Sequence, residues 1–343
     1  MKKTRQSNIE LLRVFAMGGV IFLHYYNATM GKAITYVEQG SESELLLNLL
    51  ETLNACAVDL FVIITGYFLS QTKKRTLGRA FSLLLQLSVY RVAYTLIKAV
   101  FSHSAVSARS LILAALPANW FVVLYCVLYV ISPFLNRAWH DVRKGPVIWG
   151  TLVLFSLWPT AVDTLKSLTG AGLDTLSTIG MYGSQHGYTI VNFVMCYLIG
   201  AYIREFDLTK ADGKKLLLLL LTDYVLNFFW SRWDFGTAFA YFNPLVILRA
   251  ALIFMLFLKL DIGTRPAINE LASCAFSVYI LHYWLFPIFK IEQYVKSGFW
   301  VMTVHIFVTI TAIILISYLV DKVYRLLFGK IDAGIRAWRP FEL

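Results

Sequence analysis

The stretch Asn8-Ile-Glu-Leu-Leu-Arg13-Val-Phe-Ala-Met-Gly18-Gly19-Val-Ile-Phe-Leu-His24 sets only four polar side chains into an apolar run. Extended by Tyr25 and Tyr26, it is long enough to cross a bilayer as a helix. Nine more such stretches follow, so this one decides the class of the whole chain. The ten expected spans lie near Ile9–Tyr26, Leu53–Leu69, Ala80–Phe101, Trp120–Leu135, Val147–Val162, Tyr188–Ile203, Leu216–Trp230, Phe239–Leu258, Ala267–Phe289 and Phe299–Leu319. Composition agrees. Of the 343 residues, 58% are hydrophobic and only 15% charged, against roughly a quarter charged in soluble domains. Mean hydropathy is +0.65. The expectation is an all-α polytopic membrane protein, a single transmembrane domain over residues 1–343 without a separate soluble domain. Soluble enzyme folds and nucleic-acid modules are excluded.

The net charge of +11 matters through its distribution. Cytoplasmic loops are enriched in Lys and Arg. With the N-terminus inside, the inner segments hold twenty-one basic residues. The outer ones hold six: Lys32, Arg109, Lys166, Arg232, Lys290 and Lys296. Both termini are therefore expected in the cytoplasm. Arg13, Arg91, Lys98 and Arg249 remain at membrane depth. Lys98 can snorkel outward from its helix end. The other three need a partner or a wet cavity, since a central charge costs about 2.5–3.5 kcal/mol on an insertion scale. Arg91 and Arg249 stand evenly between ligand contact and a buried ion pair, for which Asp223 is one available acid.

Cys56, Cys126, Cys196 and Cys274 are scattered singly through apolar spans, and the six histidines form no HExxH. Neither a disulfide framework nor a metal site is expected. Arg13 and His24 are eleven residues apart, close to three whole turns, so both project from one helix face about 16 Å apart along the axis. Gly18 and Gly19 between them leave room for a neighbouring helix or an extended ligand. A guanidinium suits phosphate, and an imidazole suits proton transfer near neutral pH. The outer loops Ala28–Glu51 and Asp163–Gly187 offer Tyr36, Glu38, His186 and Tyr188, residue types that suit sugars and equally an interfacial aromatic belt.

Arg13, ten intervening residues and His24 in a first membrane helix resemble the acyltransferase-3 family of integral membrane acyltransferases. Four further segments fit in order. Val58-Asp59-Leu-Phe61 with Thr65-Gly66-Tyr67-Phe68 resembles the second-helix pattern, and Asn119-Trp120-Phe121 with Tyr129 and Pro133 resembles the start of the fourth. Tyr197 to Arg204 resembles the exit of the sixth, and Ser277-Val-Tyr279-Ile-Leu-His282 resembles the ninth. Two departures stand out. Thr65-Gly66 replaces a Ser-Gly pair, and the paired arginines after the second helix appear as Arg75 and Arg79, spaced by four.

The resemblance implies transfer of an acyl group, commonly acetyl from acetyl-CoA, to a hydroxyl of a cell-surface or lipid-linked glycan. It places the protein in a bacterial plasma membrane, alone or with other polysaccharide-synthesis proteins. Arg13, Arg75 and Arg79 would meet the CoA phosphates. His24 would act as base or nucleophile, with His282 and Asp59 either supporting it or serving structure. Trp120, Asn192 and Tyr279 are candidate donors to the oxyanion, and Tyr188 is a candidate acceptor contact. A transporter or flippase for a glycan precursor or small solute is the competing class, since buried charges suit transport too.

Overall fold

The computed structural model describes residues 5–72, 76–179 and 187–337. Among them the chain is helical, without a strand. The helices are α1 (Ser7–Tyr26), α2 (Glu42–Asn54), α3 (Ala57–Leu69), α4 (Gly78–Phe101), α5 (Ala108–Ala115) and α6 (Trp120–Asp141). They continue as α7 (Lys144–Leu152), α8 (Trp158–Thr169), α9 (Ile190–Glu205), α10 (Gly213–Trp233), α11 (Phe235–Ala238) and α12 (Pro244–Leu258). The last four are α13 (Pro266–Ala272), α14 (Ala275–Leu285), α15 (Ile291–Val295) and α16 (Phe299–Ala337).

Each of the ten expected spans falls largely on helix, but they differ in reach. Among the described residues six stretches are long and apolar enough to cross a bilayer: Ser7–Tyr26, Glu42–Leu69, Gly78–Phe101, Trp120–Asp141, Lys144–Thr169 and Phe299–Ala337. Pro266–Ala272 and Ala275–Phe289 meet at 56° and together would make a seventh. The remaining three fall short for visible reasons. α9 has 16 residues and α12 has 15. α10 has 21 but carries Lys214, Lys215, Asp223 and Arg232. α12 starts late because Asn243 caps it and Pro244 takes the first helical position.

Two boundaries correct the sequence reading. The expected loop Ala28–Glu51 is helical from Glu42, where the Ser41 side chain accepts from Glu44 N and two glutamates occupy the first turn. α16 continues well past Leu319, because Asp321–Arg325 and Asp332–Arg336 pair one turn apart at 2.6 and 2.7 Å. Within Lys144–Thr169, Val153–Leu157 is a π-helical turn. It precedes Pro159, which has no N–H to give to the turn before it.

Two compact units are present. The first comprises Met1–Ser70 and Asp141–Leu319, the second Gln71–His140 and Val320–Leu343. In the first unit α3 and α9 lie against each other along their length. A Cβ at Gly66 would strike the Tyr197 carbonyl, and one at Gly200 would strike that of Ile63. Only glycine allows this approach of two backbones. In the second unit the end of α16 is tied to α4. Arg336 Nε donates to Ser82 Oγ at 2.9 Å, and Ser82 in turn bonds Asp332. Arg91 donates to the carbonyls of Leu113, Ala114 and Ala118 at 3.0–3.2 Å. The first two are orphan carbonyls of the last turn of α5 and the third lies in the loop that follows, so Arg91 is a structural cap.

Candidate active site

α1 is unbroken, so the arithmetic on Arg13 and His24 holds: about 20° apart around the helix and about 16 Å along it. The glycines between them serve helix packing. A Cβ on Gly19 would lie 2.7 Å from Asn54 Oδ1 and 3.1 Å from Ala57, and one on Gly18 would meet Ile310 at 3.5 Å. Neighbouring helices take the space that the sequence left open to a helix or a ligand.

His24 stands in the last turn of α1 and is half-buried. Its Nδ1 lies 2.9 Å from the Val20 carbonyl and 3.1 Å from Nε2 of His282. His282, on α14, is 3% exposed, and its own Nδ1 lies 3.0 Å from the Val278 carbonyl. The network assigns the tautomers. A carbonyl only accepts, so His282 Nδ1 carries a proton and its Nε2 presents a lone pair. Both neighbours of His24 Nδ1 are then acceptors, which puts the proton on that nitrogen. The lone pair of His24 is left on Nε2, the edge turned away from His282. Such a ring can take a proton at Nε2 while His282 accepts from the far side and steadies the cation.

Two devices hold this pair. Ser7 Oγ donates to Asn269 Oδ1 at 2.9 Å and accepts from Arg265 N at 2.8 Å, which moors α13 to the start of α1. The 56° bend then leads into α14, which packs along α1 and delivers His282. Beyond the pair, His305 on α16 clamps Tyr25, the residue after His24. Its Nε2 donates to the Phe289 carbonyl at 2.9 Å, so Nδ1 accepts from the Tyr25 hydroxyl at 2.9 Å. Tyr294 stacks on the His305 ring at 4.2 Å.

Other expected site residues are spread over distinct contacts. The Tyr279 ring is 5.9 Å from that of His282. Asp59, fully buried, accepts from Asn192 Nδ2 at 3.0 Å, so one amide hydrogen of Asn192 is engaged there. Tyr188 packs edge-on against Tyr241 at 5.0 Å, and their hydroxyls bond one another. Arg13, 31% exposed at its side chain, pairs with buried Glu10 at 3.0 Å through Nη1. Trp120 and Arg79 belong to the second unit. Trp120 is 40% exposed against Phe121, and Arg79 lies 6.0 Å over the Tyr129 ring. Arg75 and His186 fall outside the described residues.

Arg249 resolves as a buried ion pair. Its Nε donates to Asp223 Oδ2 at 2.9 Å with both side chains at most 1% exposed, and its Nη1 bonds the Thr52 carbonyl. The four cysteines are buried, and none forms a disulfide among the described residues. Sequence reasoning missed Glu10 and Tyr241. Glu10 had a readable signal, an acid three residues before Arg13 on the same face; Tyr241 had none.

No match was found among curated proteins or among solved structures. Residues 6–322, nearly the whole chain, match the family model described as an acyltransferase domain. That match joins an apolar helical chain and the His24–His282 contact to one chemistry: the chain belongs to the acyltransferase-3 family of integral membrane acyltransferases.

Proposed function

We propose that the protein moves an acetyl group from cytoplasmic acetyl-CoA onto a hydroxyl of a cell-surface or lipid-linked glycan. The observation that carries this reading is the His24–His282 contact, with His24 Nδ1 3.1 Å from His282 Nε2. His24 Nε2 removes the proton of the acceptor hydroxyl as its oxygen attacks the thioester carbonyl. The tetrahedral adduct collapses with cleavage of the C–S bond, and the proton passes from His24 to the departing CoA sulfur. Through both steps His282 accepts from His24 Nδ1 and fixes the ring. The oxyanion needs a donor, and the Tyr279 hydroxyl and the second Asn192 amide hydrogen are the first-unit candidates. An acyl group carried on His24 Nε2 itself uses the same lone pair.

The donor is held from the cytoplasmic side, with ten crossings and both termini inside. This follows from the basic-residue asymmetry. Cysteines introduced singly at positions 75 and 174 test it with an impermeant thiol reagent on whole cells. Position 174 should label and position 75 should not; the reverse pattern would put the donor on the wrong side.

Arg13 suits CoA phosphate. Glu10 engages Nη1, and a guanidinium has five N–H donors, so Nε and Nη2 remain for a phosphate fork. Arg79, in the second unit, is exposed beside Tyr129. Arg13→Ala should weaken CoA binding by about 1.5–3 kcal/mol, the scale of a hydrogen bond to a charged group. Arg13→Lys should raise the acetyl-CoA KM more than it lowers kcat. Calorimetric titration of CoA into wild type and Arg13→Ala reads the first directly. Equal affinities would remove Arg13 from the donor site, and no CoA binding by the wild type at millimolar concentration would favour the transport reading. One feature of that reading is present, the bent α13–α14 pair. Here the bend delivers His282 to His24.

A further inference from the structure

Between Arg13 and His24, α1 carries Met17 and Val20 on the same face. The spacing of four, three and four keeps all four side chains within about 60° of one another. Their exposure is uneven. The Arg13 side chain is 31% exposed and His24 is half-buried, whereas Met17 is 4% and Val20 1% exposed. The face is accessible at both ends and closed between them. A donor held by its phosphates at Arg13 has to carry its acyl end past this closure to reach His24 Nε2.

The cover over Met17 is the α13–α14 pair, which lies along α1. Two ties place it: Asn269 of α13 bonds Ser7, and His282 of α14 meets His24. Around α1, Met17 stands about 40° from Arg13, between His24 at about 20° and Ser7 at about 120°. Met17 is therefore between the ties in angle as well as in level. Seventeen residues of α1 separate the two ties, against thirteen of the covering pair. Interpolation sets the 56° break, at Ser273 and Cys274, level with Arg13, and the unbroken α14 level with Met17. The cover is interrupted where the phosphates would bind and continuous where the arm of the donor would pass.

The two closing residues differ in what they can do. Val20 is β-branched, with one strongly preferred rotamer in a helix, and its carbonyl lies 2.9 Å from His24 Nδ1. Met17 is unbranched with three rotatable bonds, so its thioether can fold aside while the backbone stays in place. The opening this makes is no wider than one side chain, which suits a thin arm with a small acyl tip. We propose that Met17 is a specificity-determining residue for the donor. It stands as a movable side chain between the phosphate end and His24, passing acetyl and holding back longer acyl chains. This inference rests on the acyl-CoA donor proposed above and names the residue that limits its acyl length.

The test uses purified full-length protein in detergent, with acetyl-CoA and hexanoyl-CoA as donors and a panel of methyl hexopyranosides as acceptors. It follows acyl glycoside formed. Calorimetry follows the affinity for adenosine 3′,5′-bisphosphate, which carries donor phosphates and no arm. Met17→Ala should raise the ratio of hexanoyl to acetyl kcat/KM by about tenfold or more, the scale on which an apolar site discriminates single methylenes. Bisphosphate affinity should not change. An unchanged ratio in Met17→Ala would overturn the assignment. So would a fall in bisphosphate affinity with both donors slowed alike, the mark of a structural role. If Met17→Ala does not accumulate, Met17→Leu decides, since it keeps the volume but adds a branch. A lowered acetyl kcat/KM at unchanged bisphosphate affinity then supports the assignment, and an unchanged acetyl kcat/KM overturns it. A wild type that transfers from neither donor would instead overturn the acyl-CoA reading itself, and this inference with it.

Discussion

His24→Ala is expected to lower acyl transfer by at least a hundredfold while the protein accumulates and unfolds nearly as the wild type does. General base catalysis by a positioned side chain contributes about 10²–10⁴-fold. The side chain is half-buried, and the two groups at its Nδ1 are the Val20 carbonyl and His282, so its removal leaves little unsatisfied beyond one lone pair. CoA affinity should be unchanged, because the proposed phosphate contact lies about three turns away along α1. His282→Asn should lose less. It takes His282 Nε2 from His24 Nδ1, where the Val20 carbonyl remains, and leaves the reacting nitrogen in place, so kcat falls and the acceptor KM stays. Turnover above a tenth of wild type in His24→Ala would remove the histidine from the chemistry.

A second large effect concerns stability. Arg249→Met should destabilise the protein by about 3–5 kcal/mol, the cost of leaving one partner of a buried ion pair uncompensated. Asp223 would then keep a charge with no cation beside it and at most 1% exposure. The Thr52 carbonyl would also lose its donor from Arg249. The double variant Arg249→Met with Asp223→Leu should regain most of the loss, since an apolar pair of similar volume avoids both desolvation costs. Thermal unfolding in detergent measures both. A single variant as stable as wild type would show that the pair holds nothing together, and a single variant that loses CoA binding while keeping its stability would restore the ligand role.

The helices were legible because apolar runs of span length have few alternatives in a chain with 15% charge. Their ends were not. α2 begins at Glu42 and α16 runs to Ala337 through residues too polar to register as membrane helix. The Ser41 cap supports one, and Asp321–Arg325 and Asp332–Arg336 support the other. These are local devices that an apolar-run reading does not weigh. The site was half legible. Arg13 and His24 share a face by helix arithmetic alone, whereas the contact of His24 with His282 joins positions 258 residues apart. Nothing in one sequence ranks that pairing above His305, which the fold instead gives to Tyr25. Arg91 looked as open to a ligand as Arg249 did. One is satisfied by backbone carbonyls and the other by Asp223, and each is explained by partners 22 or more residues distant.

On the proposed mechanism His24, held by His282, transfers an acyl group from acetyl-CoA to a glycan hydroxyl. The measurement that tests it most directly is the fate of radiolabelled acetyl-CoA incubated with purified wild type and His24→Ala in the presence and absence of a glycan extract. Free CoA should appear and label should move to the glycan with the wild type only. Equal transfer by His24→Ala would contradict it, and so would CoA binding by the wild type without any label reaching the glycan.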